Sequence, residues 1–160
     1  MMMKKIVLKL SLLVLVSFLL TGCGSSGTIS SADGVKKCSR TGEVDNGSSL
    51  MNYEVYYEGD YVTILHSTEE IISNDSSVLD TYENAYKNIF KEYANLDYYD
   101  NTITRNSNSV ISDTTINYAK IDIDKLLEIE GAEDNVIENG KVKLSTWLTF
   151  AKKFGVTCED

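Results

Sequence analysis

Alternating apolar and polar positions in the first half of the chain predict two adjacent β-strands. The first covers residues 50–57, where every second position is apolar: Met51, Tyr53, Val55 and Tyr57. The second is the segment YVTILHS at residues 61–67, and Gly59 between the two suits the positive φ of a tight turn. The two strands are expected to form a β-hairpin, and a shorter strand is expected at residues 70–73.

Beyond residue 77 the apolar residues recur at every third and fourth position, which is the spacing of an amphipathic helix. This apolar stripe runs from Val78 to Ala94, about five helical turns, with Ser77 as the expected N-cap. Two further strands are predicted at residues 102–106 and 110–118, joined by the turn RNSNS.

Two shorter helices are predicted in the last third of the chain. Asp124 is expected to cap the segment KLLEIE, and Ser145 to cap TWLTFAKKF, which ends at Gly155. The pattern as a whole predicts an α+β fold: an antiparallel sheet of four to five strands, with one long amphipathic helix and shorter helices packed on one face.

The N-terminal segment has the composition of an export signal. Three lysines precede an apolar run at residues 10–20, which is shorter than the roughly 20 residues that span a bilayer. The next residues resemble the lipobox of bacterial lipoproteins, a branched apolar residue, two small residues and a cysteine: Leu20, Thr21, Gly22 and Cys23. The resemblance implies that residues 1–22 are removed and that Cys23 carries lipid.

The domain organisation follows from this signal. Residues 23–36 are rich in Ser and Gly and are expected to form a flexible tether, and residues 37–160 a single α+β domain. One acyl chain binds a bilayer only weakly, whereas two or three on Cys23 would anchor the protein durably. We therefore expect the protein at the extracytoplasmic face of a bacterial cell membrane, with the lipid bilayer as a partner.

The two remaining cysteines, Cys38 and Cys158, lie near the ends of the predicted domain. Outside the cytoplasm such a pair persists as a disulfide, so we expect one to join the domain's termini. Removal of the signal segment moves the formal net charge from −9 to −12, because three lysines are lost. That charge argues against nucleic acid as a partner, since nucleic acids select Lys and Arg clusters.

The sequence contains few candidates for chemistry. His66 is the one histidine and is expected to be an ordinary strand residue, and no Gly-rich phosphate loop is present. We predict no catalytic residue, no metal site and no cofactor, although the acidic segment at residues 122–134 leaves calcium open. An exposed aromatic cluster could bind a glycan or a peptide, and its candidate members are Tyr56, Tyr61, Tyr98 and Tyr99.

The order of elements resembles that of the small YehR-type lipoproteins of bacterial envelopes. The similar segments are YEGDYVTILHSTEEI before the predicted long helix and TINYAKIDIDKLLEI after the later strands. The resemblance covers roughly residues 38–129 and implies no catalytic residue. We expect a membrane-anchored envelope lipoprotein with a non-enzymatic domain that binds an unknown envelope protein or glycan. The alternative is a carboxylate-based cell-wall hydrolase.

Overall fold

The computed structural model describes residues 32–130, 137–138 and 140–159. The strands are β1 (Gly34–Val44), β2 (Gly47–Glu58), β3 (Tyr61–Ser73), β4 (Tyr99–Arg105), β5 (Ser109–Asn117), β6 (Ile137–Glu138), β7 (Lys141–Val142) and β8 (Thr157–Cys158). Six of them form one antiparallel sheet in the order β4-β5-β3-β2-β1-β8, and β6 and β7 form a separate two-stranded ribbon. The helices are α1 (Ser76–Phe90), α2 (Ile123–Glu130) and α3 (Leu144–Lys153), with a 3₁₀ turn at Tyr118–Lys120.

The pairing register divides the side chains of the sheet between two faces, because successive strand residues point in opposite directions. The face that α1 and α3 cover is called the inner face. One row across it is Cys38, Tyr53, Ser67, Thr114 and Asn101. The opposite face is called the open face. The neighbouring row across it is Lys37, Glu54, His66, Thr115 and Asp100.

Two hydrophobic clusters on the inner face form the core. In the first, Trp147 of α3 packs edge-to-face on Tyr53 of β2, with 5.5 Å between ring centroids, and Leu65 of β3 belongs to the same cluster. In the second, α1 packs on the other end of the sheet through Leu79 and Tyr86. Strand β3 contributes to both clusters, so the sheet joins them into one domain.

A buried polar band separates the two clusters on the inner face. Ser67, Ser112 and Thr114 are almost fully buried there. Asn101 Nδ2 donates to Thr114 Oγ1 at 2.8 Å and to Ser112 Oγ at 3.0 Å, which satisfies polar groups that would be costly to bury unpaired. Glu69 lies in the same band and is 5% exposed.

The predicted hairpin is confirmed, with Gly59 at φ 55° between β2 and β3. The separate strand expected at residues 70–73 is wrong, because β3 continues without a break to Ser73. The predicted tether also ends too late: β1 begins at Gly34, inside residues 23–36. Strand β1 and the short β8 raise the sheet to six strands rather than four to five.

The helix predicted to reach Ala94 ends at Phe90 after 15 residues, so the single long helix of the predicted fold is not observed among the described residues. Its N-cap is Asp75 rather than Ser77, since the Asp75 carboxylate accepts from the Ser77 amide at 2.9 Å. The last helix begins at Leu144 without a side-chain cap, and Gly155 follows it at φ 78°, as a C-terminal glycine should. No described helix is long and apolar enough to cross a bilayer.

The expected disulfide joins Cys38 of β1 to Cys158 of β8. The two cysteines also face each other in the β1–β8 pairing, and the amide of Glu159 donates to the carbonyl of Lys37 at 2.8 Å. The C-terminal end of the domain is thus fixed to its first strand.

Candidate functional site

A group of polar side chains at the centre of the open face is the candidate functional site. We call it the open-face cluster; its members are Lys37, Glu54, Tyr56, His66, Thr68 and Asp113. They come from β1, β2, β3 and β5, and the alternation that buries the inner-face residues directs all of them to the open face. His66, Glu54 and Asp113 keep 40%, 37% and 48% of their side chains exposed, so a partner can reach them.

His66 lies between two carboxylates. Its Nε2 is 3.2 Å from Asp113 Oδ1, within hydrogen-bond range, and its Nδ1 is 3.9 Å from Glu54 Oε2, which is an ion-pair contact only. The bond to Asp113 raises the pKa of His66 above its ordinary value, and the charge of Glu54 adds to the shift although partial burial opposes it. Protonated His66 is therefore favoured at this position.

The two carboxylates are held in their charged form. Partial burial works against ionisation of Glu54, but bonds from Tyr56 at 2.9 Å and Lys37 at 3.1 Å lower its pKa overall. For Asp113, the bond to His66 lowers the pKa most, and Thr68 donates to the other carboxylate oxygen at 3.1 Å. With His66 protonated, the cluster holds two positive and two negative charges and is nearly neutral.

The contacts of His66 limit what its ring can do chemically. Its Nε2 is engaged by Asp113, whereas its Nδ1 faces Glu54 from beyond hydrogen-bond range. The described part of the chain contains no group of three or more His, Cys, Asp and Glu side chains placed to bind a metal ion. The exposed hydroxyl, imidazole and carboxylate groups can still exchange hydrogen bonds with a partner.

A buried carboxyl group that the sequence did not reveal lies behind this cluster. Burial of Glu69 on the inner face raises its pKa to about 8, although the Tyr86 hydroxyl and the Arg40 charge oppose the shift. Glu69 is next to Glu70 in the sequence, and only the strand register shows that one is buried while the other is on the open face. A substrate cannot reach Glu69, since only 5% of the residue is exposed.

The four tyrosines expected at a ligand surface do not form one cluster. Tyr56 is on the open face, and Tyr61 has Lys141 Nζ 4.9 Å from its ring centroid. Tyr98 is 5% exposed, so its expected place at the surface is wrong. Tyr99 points to the inner face, where its ring centroid is 5.1 Å from that of Tyr93. Tyr99 packs against the hydrophobic cluster of α1, which buries aromatic area.

The predicted lipobox, Leu20 to Cys23, lies outside the described residues. The acidic segment at residues 122–134 is described only up to Glu130, and Asp122 there accepts from the Lys125 amide at 3.2 Å near the start of α2.

The fold defines a class: α+β domains with a six-stranded antiparallel sheet, helices on one face and the other face open. Among solved structures, the NMR structure of the E. coli YehR protein is similar at 19% identity and TM-score 0.55, over 78% of this chain and 88% of that one. A second NMR structure, of a protein from Streptococcus pneumoniae TIGR4, is similar at 14% identity and TM-score 0.49, over 89% and 96%. No protein-family profile and no curated protein match the chain. The similarity to the YehR structure supports the expected YehR-like fold.

Proposed function

We propose that this protein is a lipid-anchored envelope protein whose domain binds a partner protein through the open face of its sheet. The anchor rests on the order of features in the sequence: three lysines, an apolar run and the residues Leu20 to Cys23. The described strands begin at Gly34, close behind Cys23, so the first sheet element would lie near the membrane.

The binding part of the proposal rests on the exposed His66, Glu54 and Asp113 of the open-face cluster. The register also places Glu43, Glu70 and Asp100 on this face, so at least five carboxylates share it with Lys37 and His66. An acidic surface attracts a basic one, which gives specificity and a faster encounter. A partner protein with a positively charged surface is therefore the occupant that the charges favour.

The pKa values favour binding over the hydrolase alternative. A carboxylate-based glycosidase needs one carboxyl group protonated near neutral pH to act as the acid. On the open face, the pKa values of Glu54 and Asp113 are lowered. Glu69 has the raised pKa, but it is buried on the inner face.

Metabolic labelling with an alkyne fatty acid tests the anchor. The full-length protein expressed in a bacterial host should take up the label and fractionate with membranes. Cys23→Ser should remove both properties, while the control Cys158→Ser should keep them. A labelled Cys23→Ser protein, or an unlabelled wild type, would contradict the anchor.

Site-specific photocrosslinking in the host tests the binding face. A photoreactive amino acid at Thr115, beside His66 on the open face, should form a protein adduct. The same amino acid at the exposed Thr149 of α3 is the matched control and should not form it. Glu70→Lys should reduce the Thr115 adduct, because it weakens the acidic surface. A glycan adduct, or equal adducts from both positions, would refute this part of the proposal.

A further inference from the structure

A groove lies between the C-terminal half of α1 and strand β4, away from the open-face cluster. Its volume is about 360 Å³, and its lining includes the apolar and aromatic residues Phe90, Tyr99 and Ile103. Two lysines also line the groove: Lys87 of α1 and Lys91, which is the C-cap residue of that helix. The groove thus combines an apolar lining with two cations.

Strand β4 is also the outermost strand of the sheet, and within the described residues no strand pairs with its outer edge. The hairpin with β5 fixes which backbone groups face outward. The amide of Asn117 donates to Tyr98 O and that of Asn106 to Ser109 O, each at 2.8 Å. Bonds of an antiparallel pair involve alternate residues, so the even-numbered residues of β4 bond to β5.

The backbone N–H and C=O groups of Asn101, Ile103 and Arg105 consequently point away from β5. The side chains of the same residues lie on the inner face, where Ile103 lines the groove. The outward backbone groups and the groove are therefore contiguous. An extended chain added along β4 would place alternate side chains into the groove, which is the geometry of peptide recognition by strand addition.

The charges at the groove select the kind of peptide. Lys91 makes no ion pair within the described part of the chain, while Lys87 is paired with Glu83 on α1 but remains 57% exposed. Asp100 also lines the groove, but the register directs its side chain to the open face. Among the described residues, Lys91 is thus the uncompensated cation of the groove, in a chain of net charge −9.

We propose that β4 and this groove bind an extended, acidic peptide segment of another protein, which adds to the sheet as a further strand beside β4. The peptide's groove-facing side chains would be an apolar residue against Ile103 and carboxylates near Lys87 and Lys91. This surface is distinct from the open face, whose acidic charge favours a basic partner.

Fluorescence polarisation with a defined peptide tests the inference. The probe is the labelled peptide TETVTET, whose Glu and Val side chains share one face of an extended chain, titrated with the full-length protein in a mild detergent. We expect saturable binding, which should weaken as salt is added because ion pairs are screened. The control peptide TKTVTKT should bind at least about tenfold more weakly, which corresponds to roughly 1.4 kcal/mol.

Backbone methylation separates strand addition from simple charge attraction without changing the protein. In an added strand only alternate peptide N–H groups face β4. Two methylated peptides are compared, one with methyl groups on the Glu and Val amides and one with methyl groups on the inner Thr amides. Their affinities should therefore differ, because one set of methyl groups abolishes binding and the other preserves it. Equal affinity of the two methylated peptides would overturn the proposal, as would no binding of TETVTET at millimolar concentration.

Charge reversal in the protein provides the matched pair of variants. Lys91→Glu should weaken TETVTET binding about tenfold, whereas Lys152→Glu on the exposed part of α3 should leave it unchanged. Glu70→Lys on the open face should also leave TETVTET binding unchanged. The test of this groove is therefore independent of the test of the proposed function. A doubled molecular mass in solution that TETVTET does not reverse would show that two copies of the chain pair through β4. That result would refute a peptide as the occupant of the groove.

Discussion

At the residue scale, His66 is an ionisable side chain that lies between Asp113 and Glu54. Its pKa is raised mainly by the bond to Asp113. Since the sequence has one histidine, a single imidazole signal in proton NMR follows its titration. We expect a pKa above 6.5 in the wild type and a lower value in Asp113→Asn, because the amide cannot compensate the imidazolium charge. The same value in both proteins would show that the bond is not formed in solution.

The same bond gives stability a pH dependence with a definite sign. Folded His66 holds its proton to higher pH than unfolded His66, so its contribution is fully present below pH 6.5 and is lost as the pH rises through the folded pKa. Asp113→Asn should remove this part of the dependence. The matched control is Asp100→Asn, since Asp100 shares the open face but makes no bond to His66.

Glu69 is predicted to change the free energy of unfolding over a different pH range. Its pKa rises from 4.5 to about 8 on folding, so the folded state keeps a proton that the unfolded chain has released. The free energy of unfolding should therefore fall between pH 4.5 and pH 8, by an amount on the order of 5 kcal/mol at most. Urea unfolding at pH 5 and pH 8.5 measures this loss.

Glu69→Gln should remove most of that loss and be more stable than the wild type above pH 8, because the amide has no charge to bury. Glu70→Gln, one residue further on the open face, should leave the pH dependence unchanged. A wild type that is equally stable at pH 5 and pH 8.5 would show that Glu69 gains solvent or a cation in solution.

At the scale of elements, the disulfide between β1 and β8 is the connection with the clearest predicted effect. It closes a loop of 120 positions, and the chain-entropy account assigns such a loop about 4 to 5 kcal/mol. Cys158→Ser should lower the free energy of unfolding by up to that amount and should make stability insensitive to reductant. Cys158 is exposed and Cys38 is buried, so the substitution at Cys158 leaves the core intact. A wild type with two free thiols by mass spectrometry would contradict the pairing.

Some elements could be predicted from the sequence because their own residues determine them. The β2–β3 hairpin has a clear period of two and a glycine at the turn, and β5 places Val110, Ser112 and Thr114 on one face as the alternation predicts. Strand β1 was missed because few of its inner-face residues are apolar. Its partners, not its own pattern, hold it in the sheet.

Helix α1 shows the opposite error. Tyr93 and Ala94 continue the helical period, yet the helix ends at Phe90. Tyr93 remains packed because the following turn brings its ring to Tyr99 at 5.1 Å between centroids. The open-face cluster could not be predicted for a related reason. His66 and Asp113 are 47 residues apart, and only the register of β3 with β5 brings them together.

At the scale of the whole molecule, two hydrophobic clusters share one sheet, and we predict that they unfold together. Strand β3 supplies Leu65 to the cluster around Trp147 and Ile71 to the cluster around α1. Trp147 is the only tryptophan, so its fluorescence reports on the first cluster alone. Its urea transition should coincide with that of far-ultraviolet circular dichroism.

A substitution in the second cluster makes this test stricter. Leu79→Ala removes a fully buried side chain of α1 and should cost about 2 to 5 kcal/mol. The Trp147 transition should shift by the full amount if the domain is one cooperative unit. Asn84→Ala, at an exposed position of the same helix, should shift it little. If Leu79→Ala leaves the Trp147 transition unchanged, the two hydrophobic clusters unfold separately.

With the anchor proposed above, the strand order would give the molecule a direction relative to the membrane. The proposed anchor would enter beside β1, whereas β4 is at the opposite end of the sheet. Strand β8 pairs with β1 and forms the other edge of the sheet, so four strands lie between β4 and β8. The five spacings between neighbouring strands are each about 4.8 Å, which places the two edges roughly 24 Å apart. The edge with unpaired backbone would then project outward, where a chain from a neighbouring protein could reach it without competing with lipid headgroups.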